Sequence, residues 1–186
     1  MSRIVFIALL ILSGCYPPTY KHDHQFASEG RYIDDVPFFP QEDYYCGPAT
    51  LASVINYLGS QVSQEEVAGK VFTPKLKGSI TVDMLNYARR TGFDASSYVG
   101  NIQDIRKEID NRHPLILYID LGYPIFPSGH YIVVVGYDDS KEGVIAYSGR
   151  DKDLFIPYKK LMKSWEKTGY WTLLILPKEE NKPVNK

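Results

Sequence analysis

Only two cysteines, Cys15 and Cys46, occur among the 186 residues, and they form no CxxC pair. A disulfide-dense scaffold and a cysteine-rich structural zinc site are therefore excluded. Basic charge is not in excess: 21 Lys and Arg stand against 22 Asp and Glu, a formal net charge of −1. A nucleic-acid binder draws much of its affinity from phosphate neutralisation, so no nucleic-acid partner is expected. No long block of like charge is present, and 44% of the residues are hydrophobic. That excludes disorder over most of the length and supplies one domain with a sizeable core. The longest apolar run covers only residues 4–12. As a helix it would span roughly 13 Å, less than half of the ~30 Å hydrocarbon core of a bilayer, so it is no transmembrane anchor.

What the run does suit is the apolar region of an export signal, since Arg3 precedes it. Leu12-Ser13-Gly14-Cys15 then resembles the bacterial lipobox. That resemblance implies cleavage after residue 14 and diacylation of the Cys15 sulfur, making Cys15 the lipid-bearing first residue. Several acyl chains, each CH₂ contributing about 0.8 kcal/mol, anchor a protein stably. Tyr16 rather than Asp follows, which by resemblance to enterobacterial sorting points to the outer membrane, facing the periplasm. Residues 1–14 are thus expected to be a signal peptide and 15–35 a lipidated tether. The tether contains His22 and His24 and shows no period; it reads as a solvated linker, not a metal site.

Residues 36–177 are expected to fold as one domain, followed by a charged tail over 178–186. The spacing of apolar residues predicts a helix over 48–58, with Pro48 in its first turn and Gly59 as its stop. Ser63 and Glu66 form a capping box for a second helix. A third is expected over 81–90, ended by Gly92, and a fourth after Asn101 as cap. After Pro114 the pattern becomes β-branched and aromatic: strands are expected over 115–119 and, as a hairpin, over 131–147. A helix over 157–168 and a closing strand over 170–176 complete the chain. Helices grouped early and strands late imply an α+β fold with an antiparallel sheet.

The chemistry-bearing residues are Cys46 and His130. Cys46 stands at the entrance of the first helix, where free N–H groups and the positive dipole end favour thiolate over thiol. It is also unpaired once Cys15 is lipidated, which is unusual in an oxidising compartment. Gly47 leaves room for a substrate carbonyl, the Cys46 amide can donate to an oxyanion, and Gln41 offers a second donor. His130 leads a buried strand, where a general base is held firmly. Taken singly, Cys46 equally fits a small buried hydrophobe, His130 a strand-end structural residue and Gln41 a loop amide. Tyr44 and Tyr45 are candidate contacts for an extended peptide, and His113, just before Pro114, reads as a surface loop residue.

VPFFPQEDYYCGPATLASVINYLG together with GHYIVVVGYDD resembles the cysteine peptidases that remove bacteriocin leaders after a double glycine. The likeness is greatest to stand-alone lipoprotein relatives without the transporter. It implies a papain-like fold, with N-terminal helices packed on a C-terminal antiparallel sheet. It also implies Cys46 as nucleophile, His130 as base and Gln41 in the oxyanion hole. The family places an Asp at the end of the strand returning after the His, to orient the imidazole. The matching position here is Ser148, with Asp151 a few residues on.

The expected function is a membrane-anchored thiol peptidase of the bacterial envelope, acting on a peptide or protein substrate with no metal or organic cofactor. Two alternatives stay open. One is a catalytically weak or inactive peptide-binding lipoprotein, which the missing Asp favours. The other is a murein-peptide hydrolase or acyltransferase, although those enzymes typically carry Asp-Cys-Ser where this chain has Tyr45-Cys46-Gly47. The oligomeric state is not legible in the sequence.

Overall fold

The structure, a computed structural model, describes residues 29–41, 44–122 and 128–178. The expected signal peptide, Cys15, His22, His24 and the tail after residue 178 lie outside the described residues. Strand β1 (Gly30–Tyr32) precedes helices α1 (Cys46–Tyr57) and α2 (Gln64–Val71). A two-stranded ribbon follows, β2 (Phe72–Thr73) and β3 (Gly78–Ser79), joined by a 3-10 turn at Pro74–Leu76. Next come α3 (Thr81–Arg90), β4 (Asp94–Val99) and α4 (Ile102–Asp110). The remainder is β5 (Leu115–Asp120), β6 (Gly129–Asp138), β7 (Gly143–Ser148), β8 (Asp151–Pro157), α5 (Tyr158–Glu166) and β9 (Trp171–Leu176).

The main sheet is antiparallel throughout, in the order β4-β9-β5-β6-β7-β8, and it carries the expected α+β architecture. Strand β6 is its spine. One edge pairs with β5 from Leu115↔Val134 to Asp120↔Gly129 and then, further along, with β1 from Tyr32↔Gly136 to Gly30↔Asp138. The other edge pairs with β7 from Val133↔Tyr147 to Asp138↔Gly143. Helix α1 packs on β5 and β6, and α5 on β5 and β8. Consecutive residues Leu115, Ile116 and Leu117 are all fully buried, as are Ile132, Val134 and Val135. Strands covered on both faces read as continuous apolar runs instead of alternating ones. Each such side chain contributes about 1.5–3 kcal/mol when fully buried.

The capping boxes at Ser63–Glu66 and Asn101–Asp104 are both formed, and Gly59 and Gly92 take φ +98° just past the ends of α1 and α3. Several elements depart from expectation. The stretch assigned to the tether ends earlier, because Gly30–Tyr32 adds a strand to β6 and Ile33 is fully buried, its N–H donating to the Val135 carbonyl. Strands β4 and β8 have no counterpart in the apolar pattern. Both are outer strands of the sheet, and each buries a single side chain, Ala95 and Ile156 respectively. His113 is no loose loop residue: its Nδ1 lies 2.9 Å from the Glu108 carboxylate, which is itself buried.

Candidate active site

Cys46 is the first residue of α1. The backbone amides of Cys46 itself, of Gly47 and of Tyr131 on β6 stabilise its thiolate. The helix entrance thus aims amides at the sulfur, as expected, and each of them pulls the pKa down. Burial works the other way and is the larger effect, so the thiol is pushed up from its ordinary value. The expectation of a lowered thiol pKa is therefore overturned: desolvation of the anion outweighs the amides. His130, the residue before Tyr131, is pushed down by the same burial. Both shifts favour the neutral forms, a thiol and an uncharged imidazole.

The β6–β7 register fixes the surroundings of the imidazole. Pairing reaches Val133↔Tyr147; one step further sets Ser148 beside Ile132, and His130 is two residues along the same face. Such diagonal neighbours are within side-chain reach. The His130 Nε2 and Ser148 Oγ are 2.9 Å apart. Asp151 sits across the β7–β8 hairpin from Ser148 and is exposed, so of the two candidate orienters it is Ser148 that touches the ring. With Nε2 occupied by Ser148, the other ring nitrogen, Nδ1, is left for other partners.

Gln41 is carried on the strap that runs from β1 to α1. Its N–H donates to the Gly149 carbonyl at 3.0 Å, next to Ser148. Further back, the Tyr147 hydroxyl donates to the Val36 carbonyl at 3.0 Å, and the Tyr147 ring meets Phe38 edge-on at 5.3 Å. Strand β7 therefore anchors both the imidazole partner and the strap.

Gln41, Cys46 and His130 all line one open cleft of about 550 Å³. Its other walls were not legible in the sequence. Ser79 and Ile80 come from the ribbon and its exit, Tyr118 and Tyr131 from β5 and β6, and Gly149 and Arg150 from the β7–β8 turn. Glycines permit these close approaches. A Cβ at position 47 would lie 2.7 Å from both Cβ and Oγ of Ser79 and 3.3 Å from the Met84 sulfur. Gly47 thus serves packing of the ribbon against α1; it is buried and is not among the residues lining the cleft, where it was expected to leave room for a substrate carbonyl. A Cβ at position 129 would overlap the Tyr118 hydroxyl at 1.9 Å, so only glycine lets that ring lie across position 129, with its centroid 4.6 Å from that of Tyr131. The Ser79 Oγ is buried with no hydrogen-bond partner among the described residues. Of the two candidate tyrosines, Tyr44 lines the cleft, while Tyr45 packs edge-on against Phe72 at 5.2 Å. No group of three or more His, Cys, Asp and Glu side chains suited to a metal ion occurs among the described residues.

This arrangement can be compared with known proteins. No curated protein sequence matches the chain. A C39-like peptidase from Bacillus anthracis superposes with a TM-score of 0.63 at 15% identity, over 82% of this chain and 100% of its own. The peptidase domain of ComA from Streptococcus, a bi-functional ABC transporter involved in quorum sensing, gives 0.63 at 24% identity, over 77% and 99%. A double glycine motif protease from an AMS/PCAT transporter, solved with its leader peptide, gives 0.62 at 23%, over 79% and 94%. These likenesses share the helices-on-antiparallel-sheet fold of papain-like C39 peptidases. The model of the Peptidase_C39 like family matches residues 33–172, a span that holds the strap, α1, the cleft and the β6–β7 pair, and the chain belongs to that family of cysteine peptidases.

Proposed function

We propose that this protein is a lipid-anchored thiol peptidase of the bacterial envelope that cuts peptide bonds through Cys46 and His130. The observation that carries the reading is the convergence of Cys46, His130 and Gln41 on one cleft, with Ser148 against the imidazole. In the resting site the His130 Nε2–H donates to Ser148, which leaves Nδ1 as the basic nitrogen. As a peptide carbonyl docks, the Cys46 sulfur attacks its carbon and the thiol proton passes to Nδ1. The carbonyl oxygen becomes an oxyanion, held by the Cys46 amide and the Gln41 side-chain amide. Collapse breaks the C–N bond, and the imidazolium returns its proton to the leaving amine. Water, deprotonated by the same nitrogen, then releases the acyl group and regenerates the thiol.

Transfer of the proton during attack, rather than a standing thiolate–imidazolium pair, follows from the two burial shifts. A hydroxyl at position 148 supports this mode: it orients the ring but brings no negative charge to stabilise an imidazolium. Anchorage through Cys15 and an outer-membrane, periplasm-facing location rest on the lipobox alone. The second reading, a peptide-binding module that does not cut, draws on the hydroxyl that stands against His130 in place of a carboxylate among the described residues.

Three measurements test these statements. Labelling cells with a palmitate analogue marks the wild type and not Cys15→Ser; label retained on the variant contradicts the anchor. Incubation with a peptide library yields products from the wild type, none from Cys46→Ala, and a rate about 10²–10⁴-fold lower from His130→Ala. No wild-type product across the library supports the binding module instead. The pH dependence of iodoacetamide labelling at Cys46 checks the resting state. A raised thiol pKa means that the thiolate fraction is small at pH 7 and grows only above the ordinary thiol value near 8.5. Ser148→Asp sets a carboxylate beside the ring, favours imidazolium and thiolate together, and moves the onset of labelling to lower pH. Fast labelling of the wild type between pH 5 and 7, or an onset that Ser148→Asp leaves in place, contradicts the neutral pair.

A further inference from the structure

The chain as a whole is close to neutral, with a formal net charge of −1, whereas the described walls of its cleft carry positive side chains. Among the described residues lining it, Lys77 and Arg150 are the formal cations and no Asp or Glu is present. The two come from separate walls. Lys77 follows the 3-10 turn of the ribbon and holds the left-handed φ of 48°. Arg150 follows Gly149 in the β7–β8 turn, beside the carbonyl that holds the Gln41 backbone. Both side chains are exposed, and neither forms an ion pair among the described residues. The Lys77 ammonium instead rests over the Tyr44 ring, 5.4 Å from its centroid. Glu42 and Asp43, neighbours of this wall in sequence, lie outside the described residues.

Apolar surface is concentrated at the same place. Seven large hydrophobic side chains are exposed among the described residues, and three of them, Tyr44, Leu76 and Ile80, line this cleft, with Leu76 at 62% exposure. A cluster of exposed apolar groups rimmed by charge marks a binding surface, not scattered surface residues. Two cations of one sign at a concave mouth also concentrate oppositely charged ligands there.

We propose that the cleft selects acidic peptides, a substrate carboxylate meeting Lys77 or Arg150 while an aliphatic or aromatic side chain packs on Leu76 and Ile80. Lys77 and Arg150 are then specificity-determining residues, distinct from the groups at the scissile bond. The statement rests on the cleft being the peptide site of the proposed peptidase, and it concerns which peptides enter rather than whether they are cut.

Binding separates the two. The full chain carrying Cys46→Ala, held in nonionic detergent, is titrated with three peptides of equal length that share one leucine and differ only in Glu, Gln or Lys at the flanking positions. The Glu peptide is expected to bind about tenfold more tightly than the Lys peptide at low ionic strength. The gap narrows as salt is raised past 0.1 M, where the screening length falls to about 10 Å. Lys77→Glu with Arg150→Glu reverses the order; both sites are exposed, and a melting curve matching the parent shows that the fold is kept. Equal binding of the Glu and Lys peptides, or a Glu preference that survives the double reversal or is indifferent to salt, overturns the proposal. Failure of the wild type to cut any of the three bears on the peptidase reading and leaves this binding test intact.

Discussion

The site depends on one register. With Val133 opposite Tyr147, β7 presents Ser148 to the face that carries His130, while Tyr147 itself points to the other side and reaches the strap. A slip by a single residue would exchange those two faces, putting a phenol against the imidazole and removing the anchor of the segment that bears Gln41. The bulge between Val134 and Gly136 lies directly beside this pairing, where the other edge of β6 passes from β5 to β1. Bulges of this kind pin register. The burial of the strands around it makes such a slip costly, because the apolar residues of β6 and β7 would change environments together.

Burial also sets the chemistry. At the head of α1 three backbone amides favour the anion of the Cys46 sulfur, yet desolvation is the larger effect. The same enclosure disfavours the imidazolium. A neutral pair of this kind stays unreactive until a substrate carbonyl gives the proton somewhere useful to go. The hydroxyl at Ser148 is consistent with that resting state: it meets the ring without drawing charge onto it.

Much of this was legible along the chain, and the exceptions have physical causes. The helices announced themselves through caps, since Ser63, Asn101, Gly59 and Gly92 each satisfy a local requirement independent of tertiary context. The central strands were visible because burial on both faces leaves an unbroken apolar run. Outer strands β4 and β8 were not, since a strand with one buried side chain has no period to detect. β1 escaped for a different reason: three residues are too few to show alternation, and only the backbone of β6 recruits them. At the site, Gln41, Cys46 and His130 carried their own chemical signal. Ser79, Tyr118, Lys77 and Arg150 did not, because ordinary residues become cleft walls only through glycine-permitted approaches at positions 47 and 129 and through the turn after β7.

The most direct test of the account is the structure of the protein after reaction with a peptide aldehyde, which traps the tetrahedral geometry of attack as a hemithioacetal. The account predicts a bond from the Cys46 sulfur to the aldehyde carbon, the resulting oxygen within hydrogen-bond reach of the Cys46 amide and the Gln41 side-chain amide, and Nδ1 of His130 facing the adduct with Nε2 still on Ser148. An unmodified Cys46, or an adduct whose oxygen points to solvent while His130 is turned elsewhere, would contradict it.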